Sequence, residues 1–294
     1  MVRMSRLRTA VVGGSLAAVG LGAGIALGVG PLDEVDTVRP ASQTDTKDKP
    51  APDTDPVESA FVGEAGTKLV AGTLEGRSAL VVTLPGAAKG DTDRLADALR
   101  AAGATFAGSI GFTERLLDPA ERQYAESVAE EAAKDVKDVP ASDEVYTRVG
   151  AVLARAYAGT GAADAPASTI RTVITTAGLV DQVQEPETRA DLVILVGGPQ
   201  RDADESGRAE VLGGLLEAWD TAAKGVVLAA PEAAGFDGGL LHELRRAGKA
   251  EGVSTFDGLD ATAGAYVTVE VAAGELEGRT GSYGTGDDAS AVRP

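Results

Sequence analysis

The chain has 294 residues and a net charge of −18; 44% of it is hydrophobic but only 4% aromatic, so its core must be built from Ala, Val and Leu. The acid excess argues against nucleic acid or anionic lipid as a partner, because phosphate binding needs clustered Lys and Arg. With no cysteine, disulfides, thiolate metal sites and Cys nucleophiles are excluded.

Arg3, Arg6 and Arg8 precede a charge-free run from Thr9 to Leu32. About 20 apolar residues span a bilayer as a helix. Basic residues before the run, with Asp33, Glu34 and Asp36 after it, put the N-terminus in the cytoplasm and the rest outside. The reading is a basic cytoplasmic start (1–8) and a single transmembrane anchor (9–30). A cleaved signal peptide is the rival, with Ala26-Leu27-Gly28 as a small-residue cleavage site. Gly20, Gly24 and Gly28 share one helix face, a candidate surface for helix pairing. Composition alone is the other explanation, since the chain holds 38 glycines. Residues 31–56 are rich in Pro and Asp, and Pro40, Pro50, Pro52 and Pro56 interrupt any helix; they read as a disordered linker.

From 57 to 286 the pattern is that of one extracytoplasmic domain. "VESAFVGEAGTKLVAGTLEG" predicts an amphipathic helix. "ALVVTL" (79–84) predicts a buried strand, stopped by Pro85-Gly86. A helix follows with Asp91 as N-cap and Leu95, Leu99 and Ala102 on one face. "TFAGSIGFT" reads as a strand. Helices are expected from Asp118 to Pro140, through "DEVYTRVGAVLARAYAG" and near Ser168 to Ala177. A strand at Leu192 to Val196, a helix, the strand "GVVLAA", a helix around His242 and the short strand "VSTF" come next. A last strand is predicted from Tyr266 to Val271. About six strands alternating with helices predict an α/β fold, a mostly parallel doubly wound (Rossmann-like) sheet covered on both faces. Residues 287–294 read as a frayed tail.

The chemistry is thinly supplied. Neither "TLPG" (83–86) nor "VGGPQRD" (196–202) is a nucleotide-binding glycine motif. The one histidine, His242, sits in a predicted helix and reads as a surface residue. Asp257 and Asp260 read as loop acids before the last strand, able to order a turn or bind a cation. Cu(I) prefers Cys and Met, and Cu(II) accepts imidazole. Met4 and His242 fall on opposite sides of the expected span, so no single-chain copper ligand set emerges. No catalytic, cofactor-binding or metal residues are assigned, and no enzyme is expected. The stretch "GSYGTG" does not open a helix, as a phosphate cradle would. Gly281, Gly284 and Gly286 are expected to fold the chain back on the domain, with Thr285 between them and Tyr283 as an apolar anchor.

Several stretches together carry a resemblance: the N-terminal span, "LEGRSALVVTLPGA", "GSIGFTERLLDPAER", "ADLVILVGG", "KGVVLAAPE", "VSTFDGLDATAGAYVTVEVAAGELEG" and the closing "YGTG". The chain resembles the actinobacterial copper transporter, or copper transport outer-membrane protein (MctB), family. The resemblance implies an envelope protein of copper homeostasis, with copper as the ion handled. It also implies a non-catalytic alternative, a scaffold that binds an envelope partner and regulates cell-wall hydrolysis or cell separation. Either role leaves room for an envelope protein partner or a homo-oligomer, and neither involves nucleic acid. Members commonly carry a coiled coil after the anchor, where this chain has its Pro/Asp-rich linker, and can show histidines around the closing motif, where this chain has Arg279 and Ser282.

Overall fold

The computed structural model describes residues 55–199 and 205–294. The expected anchor, with Gly20, Gly24 and Gly28, and all but the last two residues of the linker lie outside the described residues. Among the described residues no helix is long and apolar enough to cross a membrane.

Helix α1 (Pro56–Val70) begins at an Asp55 cap and leads to β1 (Ser78–Thr83), α2 (Lys89–Ala101) and β2 (Thr105–Phe112). A helical excursion follows: α3 (Glu114–Leu117), α4 (Arg122–Ala133), α5 (Val145–Tyr157) and α6 (Ala165–Thr176). The chain re-enters the sheet as β3 (Val180–Gln184) and β4 (Leu192–Val196). It then runs through α7 (Glu205–Ala222), β5 (Gly225–Ala230), α8 (Leu240–Arg246), β6 (Ser254–Asp257), α9 (Gly264–Leu276) and β7 (Ser282–Gly284).

The sheet has seven strands in the order β3-β2-β1-β4-β5-β6-β7. Only β3 is antiparallel to its neighbour; every other pair is parallel. Successive side chains of a strand point to opposite faces, and both faces here are covered. Leu80 and Val82 of β1 join Val193, Leu195, Val226 and Leu228 in one core, with α4 to α8. Ala79 and Val81 join Leu192, Ile194, Val227 and Ala229 in the other, with α2 and α9. β4 and β5 are therefore apolar at every position, and β1 is apolar from Ala79 to Val82, as a parallel sheet buried on both faces requires. Trp219, the only tryptophan, is buried edge-on to Phe112, with ring centroids 5.9 Å apart.

The structure corrects several expectations. The predicted last strand, Tyr266 to Val271, is part of α9. Val267, Thr268, Val269 and Val271 favour a strand by propensity, yet the buried positions, among them Ala265, Thr268, Val269, Val271, Ala272 and Glu275, recur at three- and four-residue steps, which is a helical spacing. The strand count goes from six to seven: the predicted 266–271 strand is lost to α9, and β3 and β7, which were not legible as strands, are gained. β3 reads "VDQVQ", with only Val180 buried, and β7 lies within the glycine-rich stretch. Asp91 is not a cap: α2 starts at Lys89, and Asp91 is buried in its first turn, paired with Arg94 at 2.5 Å. Burial pushes its carboxyl above the ordinary value.

Candidate functional site

Open α/β sheets bind ligands beyond the carboxyl ends of their strands, where the strand order reverses. In this sheet that point lies between β1 and β4. The two loops there pack backbone against backbone: a methyl group added at Gly198 would sit 2.4 Å from the Gly86 carbonyl oxygen. Leu84 donates its N–H to Val196 at 2.8 Å, tying the loops further. At Gly86 and Gly198 the two loops therefore leave no room for a ligand between them.

Further along the same carboxyl rim, toward β7, lies a buried polar arrangement. Asp257 is not a loop acid before a strand. It is the last residue of β6, and its side chain is fully buried. Its Oδ2 accepts from Arg245 of α8, which is equally buried. Its Oδ1 accepts from the backbone N–H groups of Thr285 at 2.7 Å and Gly286 at 2.9 Å. Arg245 also donates to the Thr255 hydroxyl and to the Tyr283 carbonyl, each at 2.9 Å. The stretch from Gly281 to Gly286 is thus wrapped around a carboxylate. Successive backbone N–H groups of this kind form an anion-binding nest, and the anion here is the chain's own.

That wrapping needs glycine. Gly284 has φ +126°, and a Cβ there would lie 2.2 Å from Asp257 Oδ1; a Cβ on Gly286 would lie 2.3 Å from the Gly235 carbonyl oxygen. The stretch follows a helix, α9, rather than the expected strand, and its own residues form β7. Tyr283 is half-buried against the α2/α9 core, and its hydroxyl has no hydrogen-bond partner among the described residues. Thr285 donates its hydroxyl to Glu232 at 2.9 Å. A crevice of about 350 Å³ opens beside the nest, between Phe256, Asp260, Val267 and Thr285. Residues 287–294 are not frayed: Gly284 donates to Ala291 at 2.9 Å, and Arg293 pairs with Glu270 at 2.6 Å.

His242 lies on α8, three residues before Arg245. Its side chain is only 12% exposed, so it is not the surface histidine expected from sequence. Nδ1 is 3.0 Å from Asp288 Oδ2, and Nε2 is 4.0 Å from Asp237 Oδ1. The first contact has the distance of a hydrogen bond without its alignment. Glu243 pairs with Arg246 at 2.9 Å. Of the sequence-assigned residues, those from Gly281 to Gly286 come together in the clasp. Arg245, Asp237, Glu243 and Asp288 were missed: Asp237 and Glu243 flank His242 in sequence, a local signal that was open to reading, whereas Asp288 and the Asp257 partner of Arg245 arrive from other elements.

The chain matches the family described as "Copper transport outer membrane protein, MctB" over residues 4–294. No curated protein gives a match to the chain. A match spanning nearly the whole length settles the family: this chain belongs to the MctB copper transport outer membrane protein family.

Proposed function

We propose that the chain acts in copper transport at the cell envelope as a non-catalytic component, held by an N-terminal anchor over residues 9–30 with its α/β domain outside the cytoplasm. The observation that carries this reading is the family match over residues 4–294. Two structural facts support the non-catalytic part. Asp257 and Arg245, the buried charged pair at the strand ends, spend their hydrogen bonds on the chain's own backbone and on Thr255. The loops at the strand-order reversal are packed against each other. The test is a clean deletion grown in copper and complemented with the full chain. Cell copper, measured by mass spectrometry, is expected to change in the deletion and return on complementation. Unchanged copper content in the deletion would overturn the reading.

A second reading is a scaffold that docks an envelope partner and regulates cell-wall hydrolysis or cell separation. It is favoured by one observation, the exposure of Val57, Phe61 and Leu69 along α1, at 75%, 72% and 54%. Under this reading, charging that stripe disturbs cell separation and leaves copper content unchanged.

A further inference from the structure

We propose that Asp237, His242 and Glu243 form an open site for a divalent first-row transition-metal cation, with Asp288 as the carboxylate behind the imidazole. One ligand atom from each of the first three lies within 4.8 Å of the other two. Each comes from a different constraint. Asp237 sits in the turn before α8, and its side chain is 99% exposed, so it is free to swing. His242 is held by its burial, and Glu243 by its 2.9 Å pairing with Arg246 through Oε2, which leaves Oε1 to bind. The site is thus fixed on one side and adjustable on the other, with solvent able to complete the coordination.

The imidazole supplies the specific part of the argument. Metal-bound histidines almost always turn their other ring nitrogen to a carboxylate or carbonyl, which sets the tautomer and leaves one lone pair outward. His242 has that disposition: Nδ1 is buried at 3.0 Å from Asp288 Oδ2, and Nε2 faces Asp237. Among the described residues no protein group is aligned to hydrogen-bond Nδ1, and Asp288 is the carboxylate within reach of it. Asp288 reaches this place because the nest around Asp257 fixes Gly286, and the next residue, Asp287, donates its N–H to the Gly235 carbonyl at 3.1 Å. The clasp thereby delivers a carboxylate to the far side of the ring.

One imidazole nitrogen with two carboxylate oxygens selects the ion. Calcium and magnesium prefer all-oxygen shells. Cu(I) prefers sulfur, and the chain has no cysteine and two methionines, Met1 and Met4. Zn(II), Ni(II) and Cu(II) accept this mixed set, and the Irving–Williams order places Cu(II) tightest. Three carboxylates against Arg246 leave an excess of negative charge that a dication offsets. The site rests on this donor set; only the naming of copper as the ion taken in the cell rests on the copper-transport reading above.

The test is calorimetric titration of the tag-free full chain with Cu(II), Zn(II) and Mg(II) salts, beside Cu(II) electron paramagnetic resonance. Wild type is expected to take one equivalent of Cu(II) more tightly than Zn(II), to ignore Mg(II) and to show coupling to one imidazole nitrogen. His242→Gln should lose that coupling and bind at least about 10-fold more weakly, and Asp288→Asn should weaken binding by roughly 10-fold or more while keeping the coupling. If His242→Gln does not fold, Asp237→Ala serves, since that exposed side chain carries no core contact; it too should bind more weakly. Equal Cu(II) affinity in wild type and in the folded variant, or a spectrum without nitrogen coupling, would overturn the site. The two claims fail separately: a deletion with altered cell copper but no binding here overturns the site alone, and binding here with unchanged cell copper overturns the transport reading alone.

Discussion

Asp257 and Arg245 illustrate how a buried ion pair can hold a chain segment in place. Removing one partner of such a pair leaves an uncompensated buried charge, at a cost of roughly 3–5 kcal/mol. Asp257→Ala is therefore expected to lose about that much stability in chemical denaturation of the full chain, and Arg245→Met with Asp257→Leu to recover part of it. A single variant within about 0.5 kcal/mol of wild type would mean that the clasp adds no stability. Glu275 shows the opposite economy. Its carboxyl is buried and its pKa raised, chiefly by burial, against the pull of hydrogen bonds from Ser254 and Thr280. The fold thus favours the protonated form. The contribution of Glu275 is most favourable below its ordinary value of 4.5 and declines as pH rises through the raised folded value. Glu275→Gln should be as stable as wild type at acid pH and more stable at neutral pH, read by thermal unfolding from about pH 4 to about pH 8. The same gap between the two proteins at every pH would refute this.

At the scale of elements, α1 is the piece whose sequence and surroundings agree least. It docks on α9 through Gly66, where a Cβ would lie 2.4 Å from the Tyr266 ring, and the Tyr266 hydroxyl donates to the Gly63 carbonyl at 3.2 Å. Val57, Phe61 and Leu69 of the same helix project into solvent, Phe61 and Leu69 on the rim of a crevice they share with Gly66 and Tyr266, and exposed apolar side chains grouped in this way mark interaction surfaces. Val57→Asp with Phe61→Asp changes two side chains that are mostly in solvent and should not lower the thermal midpoint. Under the scaffold reading it should produce cells that fail to separate, scored by microscopy; normal separation would remove the stripe as a docking surface. Elements with a strong apolar pattern of their own were the legible ones. β4 and β5 throughout, and β1 from Ala79 to Val82, are apolar because both faces are covered. β3 and α9 were not legible. β3 is a polar edge strand held by pairing to β2, and α9 is rich in β-branched residues yet packs as a helix across β5 and β6.

At the scale of the molecule, alternating strands and helices were enough to indicate a parallel sheet covered on both faces. The candidate sites were not legible in the same way. The glycines from Gly281 to Gly286 stood out as a pattern, but the carboxylate they surround comes from β6 and its arginine from α8. Likewise His242 was visible as the only histidine, with Asp237 and Glu243 close to it in sequence, while Asp288 comes from beyond β7. Side chains that meet through tertiary packing leave no spacing to read.

The segment after β7 has a consequence for life at high local density. A sheet's outermost strand presents unpaired N–H and C=O groups that can template pairing with another chain. On the β7 side, those groups are occupied: Gly284 donates to Ala291, and the Ser282 carbonyl accepts from Ser290 at 2.7 Å. The glycine clasp that positions this segment therefore also caps the sheet. Neighbouring copies crowded into an envelope find no open strand there on which to nucleate sheet-to-sheet aggregation.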